Sequence, residues 1–355
     1  MGTNRPVSIG ILADDLTSAA DGAAPFVECG LRAAVGRFDL PVQAVPVVSV
    51  DSGARSATAT EAAERVARLT ARLAERDVLY KTVDSTLRGH ITAELQACFW
   101  ASGRSSLVFA PAFPQAGRTT VRGIQLVDGV PVSESAYGRD PVHPARQSAL
   151  AELVPGNIAH VTLLDAVTQQ ELDEQVAAIA HPESVLWLGS PGMAMALSRL
   201  MVPVKLPPPP LAAIDRDVLV VIGSANRRSH LQADRLHGVA GATLLRGPVA
   251  REPDPAAVLR RLAGDAAQAL RGGRFGAVIA TGGDTMEAIL DILGVREFEV
   301  LQELDPGFPL ARALLGDGRQ LLLAMKAGGF GDDDALAGAV ERIRGAAPFL
   351  QKVLL

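Results

Sequence analysis

One local pattern recurs from end to end of this chain: a short apolar run, a turn rich in glycine or acid, then a helix-periodic segment. Apolar runs at 7–12, 45–50, 78–83, 107–110 and 185–188 predict strands in the first part, and those at 218–222, 277–280 and 321–325 predict strands in the second. Helices are expected over 18–29, 61–75, 91–100 and 193–200, then from about 230, over 256–270, 286–293 and 334–344. In the segment 61–75, Ala62, Val66, Leu69 and Leu73 fall on one helical face. Repeated strand–helix alternation predicts an α/β fold with mostly parallel sheets covered by helices on both faces. In such sheets ligands bind beyond the carboxyl ends of the strands.

Four consecutive prolines at 207–210 interrupt the pattern. A proline run can continue neither a helix nor a paired strand, and it adopts a stiff extended form. Two domains are therefore expected, 1–205 and 212–355, joined by a linker at 206–211. A length of 355 residues with 48% hydrophobic content is ample for two cores. A formal net charge of −5 argues against nucleic acid as a partner. No apolar stretch approaches the roughly 18 residues of a membrane span. The N-terminal residues lack a basic-then-apolar leader, and Pro6 stands where a myristoylation signal needs serine or threonine. Cys29 and Cys98 have no metal-type spacing, and no histidines pair as zinc ligands. The expectation is a reduced, cytoplasmic protein with two buried thiols.

The polar clusters fall after predicted strands. Asp14 and Asp15 close the first. Such acids cap helices, but a carboxylate here can also accept or orient the proton of an attacking hydroxyl. Lys81, Asp84, Ser85 and Arg88 follow the third strand. Alternation keeps Asp84 off the face of Lys81, so the two are expected to be grouped at the strand end rather than paired within it. Arg88 suits a carboxylate ligand through two parallel hydrogen bonds, or else forms a structural ion pair. Arg118, followed by Thr119 and Thr120, lies in a proline-rich loop and could hold a polyhydroxy acid. His90 either touches substrate or makes a structural bond at a helix start.

In the second half, Gly282, Gly283, Asp284 and Thr285 separate a strand from a helix. A helix start presents unpaired N–H groups and partial positive charge, and glycine lets a phosphate approach them. Alone the turn could be a simple chain reversal with Asp284 as a cap. Gly223-Ser224 and the loop from Lys326 through Gly328 and Gly329 to Asp332 strengthen the reading of a nucleotide site. Neither a Walker lysine motif nor an N-terminal dinucleotide fingerprint occurs. A phosphate cradle in one half and an acidic strand end in the other point to a phosphotransferase.

The segments Ala-Asp-Asp-Leu-Thr at 13–17, Lys-Thr-Val-Asp-Ser-Thr-Leu-Arg-Gly-His at 81–90 and Ala-Pro-Ala-Phe-Pro-Gln-Ala-Gly-Arg-Thr-Thr at 110–120 resemble signatures of the four-carbon acid sugar kinases. Val-Asp-Gly-Val-Pro at 127–131 and Arg-Asp-Pro at 139–141 continue the resemblance. Thr-Gly-Gly-Asp-Thr at 281–285, Glu-Leu-Asp-Pro-Gly-Phe-Pro at 303–309 and Lys-Ala-Gly-Gly-Phe-Gly-Asp at 326–332 are similar to the nucleotide-binding half of that family. The likeness spans the chain in order. It implies an ATP-dependent, magnesium-assisted kinase acting on the terminal hydroxyl of threonate, erythronate, 3-oxo-tetronate or the branched 3-oxo-isoapionate, with the site in a cleft between the domains.

By motif, Asp14, Asp15, Lys81, Asp84, Ser85, Arg88 and Arg118 would face the acid, with Asp15 or Asp14 catalytic. Ser224, Asn226, Gly282, Gly283, Asp284, Thr285, Gly328 and Gly329 would face ATP, while no metal ligand is assigned. The chain departs from the family pattern at Ser18, where glycine is usual, at Asn226, in place of a serine, and at Ala327, in place of threonine or serine. Two alternatives stay open: an NAD-dependent hydroxy-acid oxidoreductase, and a silent sugar-acid sensor marked by Asn226 and Ala327. A homodimer is compatible with the sequence.

Overall fold

The computed structural model describes residues 7–140, 143–202, 211–249 and 252–345. The proline run at 207–210, most of the expected linker and Pro141 lie outside them. The chain forms two compact units, Met1–Pro208 and Pro209–Leu355.

In the first unit the chain order is β1 (Ile9–Ala13), α1 (Leu16–Glu28), β2 (Ala33–Arg37), β3 (Val47–Asp51), α2 (Ala59–Leu73), β4 (Val78–Thr82), α3 (Ile91–Ser102) and β5 (Ser106–Ala110). Next come β6 (Arg118–Val121), β7 (Ile124–Val127), β8 (Val130–Pro131), β9 (Val161–Leu163), α4 (Gln169–Ala177), β10 (Val185–Gly189) and α5 (Pro191–Met201). The principal sheet runs β2-β3-β1-β4-β10-β5-β9 with every pairing parallel. After β1 the chain moves to one side of the sheet, and after β4 it moves to the other. The switch point, where ligands gather in such sheets, is therefore between the carboxyl ends of β1 and β4.

Local chemistry explains the helices on one face. Thr58 and Glu61 form a reciprocal capping box at the start of α2. Val66, Leu69 and Leu73 then pack with Leu95, Cys98 and Phe99 of α3 over the apolar rows of the sheet. Fully burying each large aliphatic side chain contributes about 1.5–3 kcal/mol. Gly103, at φ 66°, ends α3 in the left-handed region that favours glycine. Both cysteines are buried and free.

The second unit continues with β11 (Asp217–Ile222), α6 (Arg227–Asp234), β12 (Ala242–Arg246), α7 (Pro255–Arg271), β13 (Phe275–Thr281) and α8 (Gly283–Leu293). It ends with β14 (Glu297–Asp305), β15 (Phe308–Leu314), β16 (Gln320–Lys326) and α9 (Ala335–Arg344). β12, β11, β13 and β16 are parallel neighbours. β15 runs antiparallel to β16, and β14 antiparallel to β15.

The α/β class with largely parallel sheets agrees with the sequence, with additions. The β14–β15 hairpin was not anticipated: the segment 303–309, read only as a motif, forms its two paired strand ends and the turn between them, with Gly307 at φ 72°. The small antiparallel sheet β6-β7-β8 and strands β2, β9 and β12 were also not expected. No described helix is long and apolar enough to cross a membrane.

Candidate active site

At the switch point of the first unit, β1 delivers Asp14 and Asp15. Asp15 is the N-cap of α1, its Oδ1 accepting from the Ser18 N–H at 2.7 Å. Both acids meet a residue that the sequence reading passed over. After β3 the segment Asp-Ser-Gly-Ala-Arg turns sharply: the Gly53 N–H donates to Asp51 Oδ1, and Ser52 donates to Ala13 O from both its N–H and its hydroxyl. This turn aims Arg55 back at β1. Its Nε and Nη2 donate to Asp14 at 2.8 and 3.0 Å, and its Nη1 lies 2.6 Å from Asp15 Oδ2. One guanidinium thus clamps two adjacent carboxylates.

The clamp separates the acids electrostatically. Burial opposes the charge of Asp14, but the cations of Arg55 and Lys81 outweigh it and hold the carboxyl below its ordinary value. Burial raises Asp15, Asp14 adds to the rise, and Arg55 only partly offsets both. Asp14 is the fixed anion of the pair, and Asp15 is the better proton acceptor.

Lys81 is buried within β4, and its counter-charge is one that the sequence reading did not identify. Its Nζ lies 2.9 Å from Glu94 Oε2 on α3 and donates to Thr82 O at 2.8 Å. Its counter-charge is thus Glu94, supplied by the next helix, and Asp84 is not its partner. Burial disfavours the Lys81 ammonium, yet Glu94 and Asp14 hold its pKa above the ordinary value. A small recess is lined by Asp14, Lys81, Arg88 and Glu94.

Asp84 is bound by Arg88 Nε and accepts from the Thr86 hydroxyl at 2.7 Å. Despite its burial, Arg88 and Arg55 keep it ionised far below the usual carboxylate range. The structural ion pair considered for Arg88 is therefore present. Arg88 also lies 3.7 Å from Asp140 and stacks 5.3 Å from the Tyr137 ring centre. Arg118 stacks at 5.7 Å from the same ring and donates to the Tyr137 hydroxyl at 2.9 Å. Tyr137, which the sequence reading also missed, gathers the two arginines. Ser85 is held through its carbonyl, which accepts from Gln125 Nε2 at 2.8 Å. His90 makes the structural bond, Nε2 to Ala57 O at 2.7 Å, at the start of α3.

In the second unit three glycine loops meet at the carboxyl ends of β11, β13 and β16. The Ser224 N–H donates to Thr281 O at 3.0 Å, the Gly282 N–H to Lys326 O at 2.9 Å and the Ser229 hydroxyl to Gly328 O at 2.9 Å. The loops approach so closely that a Cβ on Gly223 would lie 1.9 Å from Thr285 Oγ1. One on Gly328 would lie 2.1 Å from Ser224 Oγ and 3.2 Å from Asn226 Cβ, and one on Gly329 would lie 3.4 Å from Asn226 Nδ2. Gly282, at φ 91°, is the N-cap of α8, so Gly283 and Asp284 begin the helix. Asp284 is exposed in the first turn and is not the cap. Asn226 caps α6, its Oδ1 accepting from the Arg228 N–H at 2.9 Å, which gives that departure from the family pattern a structural role.

Residues 9–163 match the sugar-binding N-terminal domain, and residues 241–336 match the nucleotide-binding C-terminal domain. A D-threonate kinase from Bordetella bronchiseptica is 31% identical, over 95% of this chain and 97% of that protein. The chain belongs to the four-carbon acid sugar kinase family. A second family relative, a 3-oxo-tetronate kinase from Burkholderia multivorans, is 24% identical over 97% of this chain and 99% of its own length. A solved structure from Salmonella typhimurium LT2 shares the fold at a TM-score of 0.77 and 21% identity, covering 98% of this chain and 100% of that one. The Asp14–Arg118 cluster lies within the sugar-binding match, and residues 282–285 and 328–329 lie within the nucleotide-binding match. Ser224 and Asn226 precede the second match and join it spatially through Gly328.

Proposed function

We propose that this kinase transfers the γ-phosphoryl group of ATP to the terminal hydroxyl of a four-carbon or branched acid sugar of the threonate, erythronate, 3-oxo-tetronate or 3-oxo-isoapionate type. The observation that carries this reading is the clamp of Arg55 on Asp14 and Asp15 at the β1–β4 switch point. It fixes one carboxylate as an anion and leaves its neighbour more basic. Asp15 accepts the proton of the attacking hydroxyl, while Asp14 holds Arg55 and orients the substrate's other hydroxyls. Arg88 and Arg118, gathered on Tyr137, supply planar donors suited to the acid's carboxylate. The N-terminal unit binds the acid, and the C-terminal unit binds the nucleotide.

In the C-terminal unit, the free N–H groups at the start of α8 and the close approach of Gly223, Gly282 and Gly328 accommodate phosphate oxygens. Among the described residues no group of three His, Cys, Asp or Glu side chains is placed to hold a metal ion. Magnesium ordinarily keeps water and phosphate ligands alongside one or two carboxylates, and Asp284 at the phosphate turn meets that need. Bound there, the ion would neutralise phosphate charge.

The kinase relatives disfavour the oxidoreductase alternative. The decisive experiment is coupled ADP detection with a panel of tetronates and branched oxo acids. Acid-dependent ADP release is expected with at least one member. Its absence across the panel, despite nucleotide binding, would favour the silent sensor.

A further inference from the structure

Lys326 ends β16 at a place where the fold calls for an apolar residue. Leu322 and Ala324 of the same strand face the core, as do Ala277 and Ile279 of β13. Thr281 and Lys326 continue those two rows and are register partners, so their side chains leave the sheet on the same face. Lys326 is 1% exposed, yet its ammonium donates only to Ala327 O at 3.1 Å and has no carboxylate partner among the described residues. Thr281 Oγ1 beside it is buried without a hydrogen-bond partner.

The neighbouring charges do not supply an anion. Arg228 of α6 donates to Gly331 O at 2.8 Å and sets a second cation against Lys326. His230 of α6 is turned to Arg246, whose Nε donates to its Nδ1 at 3.0 Å. In the loop after β16, Asp332 accepts from the Asp334 N–H at 3.1 Å. Lys326 is thus a buried cation without a counter-charge beside the loop that carries Gly328, and Arg228, exposed at the surface, adds a second positive charge to that loop. Burying an ammonium is costly unless an anion compensates it.

We propose that Lys326, with Arg228 and the Thr281 hydroxyl, forms a seat for the phosphate chain of the bound nucleotide. The proposal rests on the nucleotide assignment of this unit. Phosphate oxygens would replace the single carbonyl contact with charge-assisted bonds. Lys326 is then a phosphate-binding residue whose protonation is linked to the ligand. Burial, and secondarily Arg228, lower its pKa to about 8 in the free protein. A phosphate anion raises that value, so binding near pH 8 draws in a proton.

The test is calorimetric titration of the full chain with ADP at pH 8 in two buffers of different ionisation enthalpy. At this pH the ADP phosphates are deprotonated and His230 is neutral. Uptake of about half a proton per ADP is expected. Lys326→Arg keeps a fixed charge and should bind ADP without uptake. Lys326→Met should bind at least about tenfold more weakly, since it loses charge-assisted bonds. ADP binding to the unaltered protein without proton uptake would overturn the Lys326 assignment alone, and it needs no variant. A complete lack of ADP binding would overturn the nucleotide assignment as well. Unchanged uptake in Lys326→Arg would place the titrating group elsewhere.

Discussion

Replacing Asp15 with asparagine separates its two roles. An asparagine Oδ1 can still accept the Ser18 N–H bond that caps α1, and asparagine ranks with aspartate at this position. Arg55 loses one carboxylate but keeps both contacts to Asp14, so no buried cation is left unpaired. The expected stability change is therefore within about 1 kcal/mol. Catalysis should respond differently, because the amide cannot take the hydroxyl proton. A fall in kcat of about 10²–10⁴ is expected, with little change in acid affinity. Coupled ADP detection at saturating acid and ATP gives kcat, calorimetry gives acid binding, and thermal melting gives stability. In the unaltered enzyme, activity should fall with decreasing pH along a limb that lies above the ordinary aspartate value of 3.8. A variant retaining kcat to within about tenfold, or one unfolded under assay conditions, would refute the division of roles.

Arg88→Lys keeps the charge but loses the planar donor set, so the KM for the acid should rise far more than the KM for ATP; equal rises would make Arg88 purely structural. Gly328→Ala places a methyl group 2.1 Å from Ser224 Oγ and should abolish ATP binding while leaving acid binding by calorimetry intact. Asp84 is ionised far below 3.8 because Arg88 and Arg55 overcome its burial, so it stabilises the fold above 3.8 and that support is lost as pH falls below it. Denaturant titrations across that range should show a shallower loss for Asp84→Asn than for the unaltered protein.

What the sequence disclosed and concealed has physical causes. Strands buried on both faces, such as β1, β11 and β13, are unbroken apolar runs ending in polar turns, so the parallel core and its functional edge were legible. β2, Ala-Ala-Val-Gly-Arg, has only one β-branched residue and carries little strand signal. β14 mixes charged and apolar residues, and its pairing with β15 gives it meaning only in three dimensions. Arg55 was missed because an arginine in a loop has no local signature. The Asp51-Ser-Gly turn at the same sheet edge was the available clue. Glu94 reads as an ordinary first-turn acid of α3, and only the β4–α3 packing shows that it neutralises Lys81.

Tyr137 also gives this enzyme a built-in spectroscopic probe. The chain contains only two tyrosines. Tyr80 is sealed in β4 with its hydroxyl on the carbonyls of Gly189 and Ser190, whereas Tyr137 lies against the guanidinium groups of Arg88 and Arg118. Fluorotyrosine labelling would therefore yield two ¹⁹F resonances, one an internal standard and the other sensitive to the field of the paired arginines. Movement of the second signal as an acid sugar is added would report carboxylate arrival directly, before any phosphoryl transfer and without a coupling enzyme.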